Sequence, residues 1–372
     1  MSDWQNLTLG DIFEISSSKR VLQRDWKSHG IPFYRAREIV KLARDGEVEN
    51  ELFISEELYA EYREKYGVPA EGDLMVSAVG TLGACYVVGP RDRFYYKDAS
   101  VLRFRAKRQI CPRFILHSFR TDELLDQIHS GSGSTVGTYT IERANATRIR
   151  IPPLIEQRRI ATVLDKADSI CAKRQKALAY LDSLAQSVFI EMFGDPVTNP
   201  KNWRAVSFVD FFSDETSTCA KIKTSSYQES GIFPIVDQGQ KRVAGYCDNE
   251  ASLAPVSLPV TVFGDHTRIV KYIDFPFVVG ADGAKVLKAA DAVNPRFASH
   301  LLGVLPIADL GYSRHMKEVK RLTFISPAKE LQDCFEARLL EIDKIRGRLL
   351  HAQEQSEILR ASLKHRAFRG QL

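Results

Sequence analysis

The sequence lacks the features that mark membrane-spanning and secreted proteins. Although 44% of its residues are hydrophobic, no apolar run approaches the roughly 18–20 residues that a membrane-spanning helix needs. The N-terminal residues Met1–Trp4 do not begin the basic-then-apolar pattern of a secretory signal. We therefore expect a soluble, cytoplasmic protein that has no membrane partner.

Cysteine is present but not clustered. The six cysteines form neither a C-x-x-C pair nor a Cys/His group at metal-ligand spacing. Scattered thiols of this kind are typical of reduced side chains that pack as small apolar groups. The sequence therefore predicts no metal site.

Motifs of catalysis and cofactor binding are missing as well. There is no P-loop and no G-x-G-x-x-G segment. The stretch Ile151–Leu154 has two prolines but lacks the asparagine with which amino-methyltransferases hold a target amine. Asp265 and His266 could belong to a catalytic triad, but nothing in the sequence fixes the serine that they would need. We predict a non-catalytic chain that binds no cofactor itself.

Charge is unevenly distributed along the chain. The net charge is only +5, which does not by itself indicate a nucleic-acid partner. Basic residues dominate from Arg91 to Arg113, whereas glutamates dominate from Asp45 to Asp73. If these segments lie on different faces, one side of the first globular region could meet a polyanion.

The chain contains an internal duplication. At 372 residues it has room for two domains with connecting helices. Short pieces recur in the same order, which predicts two similar globular heads, each followed by a long helix. The recurring pairs are Trp4, Asp11 and Phe13 with Trp203, Asp210 and Phe212; Gly30–Phe33 with Gly231–Pro234; and Ile151-Pro152-Pro153 with Ile325-Ser326-Pro327.

Two long amphipathic helices are predicted, from about Glu156 to Phe193 and from about Glu330 to Phe368. Apolar residues in the first, among them Ile160, Ile170 and Leu184, alternate spacings of three and four, a heptad seam that only Arg174 interrupts. The second seam has the same spacing. Because a head lies between the helices, they can pair antiparallel within the chain; an intermolecular coiled coil is the alternative. Such a spacer, ~57 Å long, could set two heads on the same side of duplex DNA, about one to one-and-a-half turns apart.

Both heads are predicted to mix strands and helices. In the first, Leu74–Val79 and Ala84–Val88 flank a glycine turn, which indicates a hairpin. In the second, Val260–Phe263 leads into Gly264–Thr267, and Phe277–Gly280 follows as the next strand. The alternation in Val101–Arg105 predicts a half-exposed strand whose arginines point one way.

Polar residues in these heads are candidates for contacts with nucleic acid. Basic and hydroxyl side chains suit phosphates, whereas Gln and Arg can form paired hydrogen bonds with base edges. For any one of them, a plain surface role is the competing interpretation. The candidates are Lys19, Arg20, Arg35, Arg37, Arg103, Arg105, Ser132, Ser134, Thr135, Lys221, Lys223, Gln238, Gln240, Lys241, Arg242, Arg314 and His315.

The chain resembles the specificity subunits of type I DNA restriction–modification enzymes. The resemblance rests on Ile151–Ala161, where prolines and Glu-Gln lead into the long helix, and on its continuation Leu181–Phe189. The closing Ala361–Gly370 looks like the second copy of the family pattern. In the second copy Leu331-Gln332-Asp333 takes the place of Gln157-Arg158-Arg159, which leaves open whether two partner sites are equally strong.

The resemblance implies an α+β chain with two target recognition domains and two antiparallel coiled-coil spacer helices, related by a pseudo-two-fold duplication. Each domain would bind half of a split site in double-stranded DNA. Modification (methyltransferase) subunits would dock on the helices and restriction (motor–nuclease) subunits would join them, bringing S-adenosylmethionine, ATP and Mg²⁺. The expected boundaries are 1–152 for the first domain, 153–194 for the first spacer, 195–325 for the second domain and 326–372 for the second spacer.

Two other functions compete with this one. A single-chain enzyme could combine specificity with catalysis, although the missing cofactor loop argues against it. A purely structural coiled-coil adaptor is the third possibility; deleting either head of such an adaptor would leave the DNA specificity of its complex unchanged.

Overall fold

The computed structural model describes residues 4–130, 137–281, 283–309, 311 and 313–372. The chain divides into two compact units, each with many contacts between its own residues. Unit 1 comprises Met1–Lys173 with Gln353–Leu372, and unit 2 comprises Arg174–Ala352. Ser132, Ser134 and Thr135, three of the candidate residues, lie outside the described residues.

Unit 1 mixes short strands and helices. Its strands are Gln5–Thr8 (β1), Phe13–Ser16 (β2), Ile31–Tyr34 (β3), Phe53–Ile54 (β4), Leu74–Ser77 (β5), Cys85–Val87 (β6), Tyr95–Tyr96 (β7), Val101–Ala106 (β8) and Arg148–Ile151 (β9). Its helices are Leu9–Ile12 (α1), Ala36–Asp45 (α2), Glu56–Tyr66 (α3), Pro112–Ser118 (α4), Asp122–His129 (α5), Ile141–Ala146 (α6) and the first part of Leu154–Phe193 (α7).

The strands of unit 1 form sheets in the orders β2-β8-β5-β6, β4-β3-β7 and β1-β9. β3 and β7 are parallel, whereas the β5–β6 hairpin is antiparallel, as predicted from the glycine turn. A capping box between Thr8 and Asp11 starts α1, and the buried Phe13 follows in β2. Ile160 and Leu164 of α7 pack into the same core, so the first spacer helix is part of this fold.

Unit 2 repeats this plan. Its strands are Ala205–Val206 (β10), Phe212–Asp214 (β11), Lys221–Ile222 (β12), Phe233–Val236 (β13), Gly245–Cys247 (β14), Val260–Gly264 (β15), Val270–Ile273 (β16), Val278–Gly280 (β17), Ala284–Ala289 (β18) and Phe324–Ile325 (β19). Its helices are Phe208–Phe211 (α8), Pro295–Val304 (α9), Met316–Val319 (α10) and the first part of Lys329–Phe368 (α11), together with the second part of α7.

The sheet orders of unit 2 are β11-β18-β15-β16, β12-β17-β13-β14 and β10-β19. The first and last correspond to sheets of unit 1, whereas the second corresponds to β7-β3-β4 with one additional strand, β12. Phe212 opens β11 as Phe13 opens β2, and both are buried. The core contains aromatic rings from both long helices, with Phe193 and Phe335 at a centroid distance of 5.4 Å. Burial of one such ring stabilises a fold by roughly 1.5–3 kcal/mol.

Two buried glutamines show how closely the duplication is kept. The Gln157 amide donates to Pro152 O at 2.9 Å and accepts from Cys111 N at 2.9 Å. Gln332 does the same, donating to Pro327 O at 2.8 Å and accepting from the backbone N of residue 294 at 2.8 Å. We call each arrangement a glutamine bracket. The brackets correct the predicted equivalence by one residue, since Pro327 corresponds to Pro152 and not to the next proline.

A second repeat was not recognised in the sequence. The segment Pro112–His117 and the segment Pro295–His300 both have the pattern Pro-Arg-Phe-x-x-His. Each begins a helix that packs on the long helices of its own unit, α4 in unit 1 and α9 in unit 2. The glutamine bracket of each unit holds the residue immediately before this proline, so the two repeats are parts of one structural device.

In the second head, the strand predicted after the glycine turn is not the pairing partner of β15. β15 pairs antiparallel with β16, which begins at Val270, whereas β17 belongs to the other sheet and runs parallel to β12 and β13. β16 escaped notice because Lys271 and Tyr272 interrupt its apolar run.

The long helices pair antiparallel within each unit. In unit 1, Arg159 donates to Leu372 O at 2.9 Å, while Asp168 lies 3.5 Å from Arg360. Later positions on α7 therefore meet earlier positions on α11. In unit 2, Arg174 donates to Ala352 O at 2.5 Å and Asp182 pairs with Arg346 at 2.5 Å, again in antiparallel order.

The predicted seam was partly wrong. Ile170 and Leu184 are 47% and 46% exposed, whereas Leu164, Cys171 and Leu181 are buried. The buried face is displaced and broadened because each half of α7 packs on the head of its unit as well as on α11. The α+β class and the two long helices are confirmed.

Candidate nucleic-acid interface

In unit 1, several candidate residues follow the ends of two parallel strands. β3 and β7 run side by side in the same direction, so their carboxyl ends lie at one edge of the sheet. Arg35 and Arg37 follow β3, and Lys97 follows β7. Lys97 N donates to Tyr34 O at 2.8 Å, and this hydrogen bond joins the ends of β3 and β7.

The segment Ser17–Arg20 joins this edge. Ser18 Oγ donates to Tyr96 O at 2.7 Å, and Arg20 pairs with Asp98 at 2.9 Å. Lys19 lies over the ring of Tyr66 at 5.7 Å. The structure thus brings four candidates, Lys19, Arg20, Arg35 and Arg37, to one surface. We call residues 17–20, 35–38 and 97–100 the unit 1 edge.

Arg35 and Arg37 are held by carboxylates. The buried Glu38 accepts from Arg35 Nη2 at 2.8 Å and from Arg37 Nε, while the exposed Glu51 pairs with Arg37 Nη2. Burial alone would raise the pKa of Glu38, but hydrogen bonds from the two arginines outweigh it and lower the pKa. Glu38 therefore stays ionised at neutral pH.

Arg103 and Arg105 do not lie at this edge, which corrects their assignment as candidates. The β8 strand was predicted to be half exposed, but Val101–Phe104 is buried. Arg103 is 6% exposed, and Arg105 pairs with Asp73 at 2.8 Å. Both guanidinium groups donate to Val68 O, so they do point one way, but toward a loop of their own unit.

Two described residues that follow the polar stretch of the first head lie beside the turn after β5. Tyr139 N donates to Ala78 O at 2.9 Å, and Thr138 pairs with Val79.

Unit 2 forms the corresponding edge from three parallel strands. β12, β17 and β13 are neighbours, and their carboxyl ends lead into Lys223, Ala281 and Asp237. Ala281 N donates to Tyr227 Oη at 3.1 Å, which fixes the exit of β17. The candidates Lys221, Lys223 and Gln238 therefore share one side of this sheet.

Hydrogen bonds join the neighbouring loops to this edge. Gln238 O accepts from Thr267 Oγ1 at 2.6 Å. Asp265 N donates to Gly283 O at 2.7 Å, and the Asp265 carboxylate accepts from Met316 N at 2.6 Å. Asp265 is buried, so it connects the turn after β15 with the polar stretch before α10. We call 221–223, 237–242, 265–268 and 313–315 the unit 2 edge.

The candidate residues of unit 2 differ in the exposure and ion pairing of their side chains. Lys221, Lys223, Gln240, Lys241 and Arg314 are exposed, and no ion pair involves any of them within the described part of the chain. These five side chains are available to a ligand.

Two other candidates of unit 2 are engaged within the fold. Arg242 pairs with Asp274 at 2.8 Å and lies over Phe275. His315 is fully buried, and its Nδ1 lies 2.8 Å from Asp265 O, so its role is to hold the loop. We remove His315 from the candidates, together with Arg103 and Arg105.

Sequence reasoning missed the acidic residues that position these edges. Glu38 had a recognisable signal, because it stands at the third position of α2, where a glutamate can accept from the backbone N–H of the residue before the helix. Asp265 and Glu51 had none, since their importance depends on contacts between segments that are distant in sequence.

Comparison with known proteins finds a family model that matches the first part of the chain. A model described as type I restriction modification DNA specificity domain matches residues 1–179. Residues 1–179 are therefore similar to that family, in agreement with the resemblance found in the sequence.

Curated proteins similar to this chain have corresponding names. A putative type I restriction enzyme specificity subunit from Haemophilus influenzae is 28% identical over 166 residues, 44% of this chain and 40% of the relative. A putative type I specificity subunit from Mycoplasma pneumoniae is 33% identical over 95 residues, 26% of each chain. The chain thus matches less than half the length of these relatives.

Solved structures share the fold over the whole chain. An S subunit of a type I restriction-modification system from M. genitalium superposes with a TM-score of 0.61 at 13% identity, covering 99% of this chain and 96% of that one. A chain from a structure concerned with complex assembly and conformational transition of the type I R-M system gives 0.58 at 16% identity, covering 99% and 98%. Both likenesses extend the fold assignment beyond the specificity domain. Among the described residues, no helix is both long and apolar enough to cross a membrane.

Proposed function

We propose that this chain is the sequence-specific DNA-binding subunit of a type I restriction–modification complex, and that it recognises a bipartite target. The observation that carries this proposal is the duplicated edge. Both units place polar residues at the carboxyl ends of parallel strands, in sheets that share three corresponding strands. An arrangement of strands and edge residues that occurs twice in one chain is suited to a DNA target that has two parts.

The side chains within the shared frame differ. Arg35 and Arg37 follow β3 in unit 1, whereas Gln238 and Gln240 follow the corresponding strand β13 in unit 2. Arginine favours paired contacts with guanine, and glutamine favours adenine. Different residues on one frame support recognition of two different half-sites.

The two units also differ in free charge. Lys221, Lys223, Lys241 and Arg314 are exposed in unit 2, and no ion pair involves them among the described residues. Cations of this kind contribute sequence-independent affinity through phosphates, and that affinity falls as salt rises. The unit 2 edge would therefore supply much of the salt-dependent binding.

Partner subunits would supply the chemistry. Apolar side chains that the helix pair leaves exposed include Tyr180, Leu184, Ile345 and Leu350 in unit 2 and Ile170 and Leu359 in unit 1. Exposed apolar side chains of this kind are common at protein interfaces. From the family resemblance we assign these side chains to contacts with methyltransferase subunits, and motor–nuclease subunits would join for restriction.

S-adenosylmethionine, ATP and Mg²⁺ would belong to these partners, and the complex would act in the cytoplasm, where the DNA is. The long helices would fix the gap between the half-sites.

Methylation mapping tests this proposal. The intact system would be introduced into a host that lacks it, and the modified bases would be mapped across the genome. We expect a split motif with a fixed gap, and we expect a gel shift of the complex on that motif but not on a scrambled duplex. Sequence-independent binding would contradict the proposal, as would methyl transfer by this chain alone.

A further inference from the structure

Two carboxylates surround the arginine pair of the unit 1 edge, and they differ in accessibility. The side chain of Glu38 is 2% exposed, whereas that of Glu51 is 72% exposed. Glu38 accepts from Arg35 N at 2.9 Å, so it also caps α2. A buried carboxylate that accepts from four donor groups is a fixed part of the fold, whereas an exposed carboxylate on a loop can move away from its partners.

Glu38 leaves the outer side of Arg35 available. It engages the guanidinium from the side, accepting from Nε at 3.2 Å and from Nη2 at 2.8 Å. A guanidinium has five N–H donors, so the two terminal nitrogens keep hydrogens that point outward. Side-on support of this kind holds a long side chain in one rotamer, and binding then costs less conformational entropy.

Glu51 lies at this outer side. Its Oε2 is 3.8 Å from Arg35 Nη2 and bonds to Arg37 Nη2. One acceptor oxygen thus faces the terminal nitrogens of both arginines. Guanine offers paired acceptors of this type, and so does a phosphate group.

We propose that Arg35 and Arg37 form a site for a paired acceptor on DNA, that Glu38 positions them, and that Glu51 occupies the site until DNA displaces it. The proposal rests on the proposed function, because it assigns the site to the DNA partner of this chain. Glu51 acts as an internal competitor, and Glu38 is a positioning residue.

Three substitutions that each remove one negative charge test the proposal. They are Glu51→Gln, Glu38→Gln and the matched control Glu49→Gln, in which an exposed glutamate two residues from Glu51 is changed; no ion pair of Glu49 is found within the described residues. If net charge alone mattered, all three would strengthen DNA binding alike. We expect E51Q to bind its duplex roughly two- to fivefold more tightly than E49Q, since an exposed ion pair is lost, and E38Q to bind more weakly than wild type.

The measurement uses the full chain with its methyltransferase subunit. Fluorescence anisotropy would be recorded on a duplex with the mapped motif and on a scrambled duplex of equal length. Equal affinities for E51Q and E49Q would overturn the inference. Failure of the wild-type complex to prefer the motif would instead overturn the proposed function, so the two failures are distinguishable.

Arg37→Gln distinguishes the two acceptors. If the acceptor is guanine, R37Q relaxes selectivity at one position of the motif; if it is a phosphate, R37Q weakens both duplexes alike and reduces the salt slope by about one. In either case the advantage of E51Q over E49Q disappears when R35Q and R37Q are added. An advantage that persists would contradict the site. A glutamine at position 38 can still accept from Arg35 N, and a thermal melt of E38Q tests whether the variant folds. If E38Q does not fold, the comparison of E51Q with E49Q decides.

Discussion

At the scale of single residues, the glutamine brackets connect each long helix to its head. Each amide uses both its donor and its acceptor on backbone groups inside the protein, since Gln157 and Gln332 are buried. A side chain of another type cannot satisfy both groups from the same position. This explains why two heads with different loops keep the same residue here.

Replacing either glutamine should be costly. Gln157→Ala or Gln332→Ala leaves one backbone N–H and one carbonyl buried without a partner, and we expect a loss of about 2–4 kcal/mol in the free energy of unfolding. Urea denaturation of the full chain measures this loss. Gln175→Ala, at an exposed position of α7, is the control and should stay within about 0.5 kcal/mol. A bracket variant as stable as the control would show that the bracket does not support the fold.

The histidines of the Pro-Arg-Phe-x-x-His repeats have different surroundings. His117 Nε2 lies 2.7 Å from Asp165, whereas no partner of His300 Nε2 is found among the described residues. Burial lowers the pKa of His117, and the hydrogen bond to Asp165 opposes that effect in part. Burial lowers the pKa of His300 from 6.5 to about 4, with nothing to oppose it.

His300 should make unit 2 sensitive to mild acid. Its folded-state pKa lies below 6.5, so between pH 6.5 and 4 the unfolded chain binds a proton more readily than the folded chain does. Stability is therefore lost as pH falls through this window, by up to about 3 kcal/mol. Urea unfolding at pH 7.5, 5.5 and 4.5 should show this loss for wild type and a smaller loss for His300→Gln. Parallel pH profiles for the two proteins would contradict the assignment.

At the scale of secondary-structure elements, Arg174 is the polar interruption of the predicted heptad pattern. Its guanidinium donates to the carbonyl of Ala352 on α11, so the interruption is satisfied by the partner helix. Polar groups in such a seam often specify register at a cost in stability.

A hydrophobic replacement of Arg174 should therefore be tolerated. Arg174→Leu removes the hydrogen bond but fills the seam, and we expect stability to be unchanged or to rise by about 1 kcal/mol. Arg174→Ala loses both the contact and the packing, so it should be less stable than the leucine variant by about 1–2 kcal/mol. Thermal unfolding followed by circular dichroism compares them. A leucine variant no better than alanine would show that the position does not pack.

Much of this level of structure followed from the sequence. The long helices were predictable because prolines precede the first of them and Gly194 and Pro196 follow it, and because apolar residues recur at helical spacing. The buried face was misplaced near Ile170 and Leu184, since a heptad pattern cannot show that a helix packs on its head as well as on the other helix. β16 was missed because tertiary packing buries Lys271, which the sequence pattern presents as a surface residue.

The candidate edges were predictable only in part. Arg35, Gln238 and Lys223 stand out as polar residues after strands, but their neighbours come from segments far away in sequence. Arg103 shows the reverse error, because alternation suggested exposure for a side chain that is buried and donates to Val68 O. Contacts between distant segments decide which polar residue is free, and one sequence does not contain that information.

At the scale of the whole molecule, the two edges should act on separate parts of the target. Arg314→Ala removes an exposed cation of the unit 2 edge only. We expect methylation mapping of this variant to show relaxed selectivity or reduced occupancy in one half of the motif, while the other half is unchanged. Arg204→Ala is the control, with the same loss of charge in unit 2 outside the edge, and should leave the motif intact. Changes in both halves would show that the edges do not recognise DNA independently.

The arginine pair of unit 1 has a consequence for the search along a chromosome. A tethered carboxylate such as Glu51 competes like a free ligand at roughly millimolar concentration. A wrong duplex that offers a single acceptor only exchanges one hydrogen bond for another, so it gains little from displacing Glu51. Displacement of Glu51 is favourable only when the DNA sequence also forms contacts with the rest of the unit 1 edge. If Glu51 acts in this way, its ion pair with Arg37 shortens the time that the chain stays bound to wrong DNA sites. The same ion pair lowers the affinity for the correct site, and the search along the chromosome becomes faster.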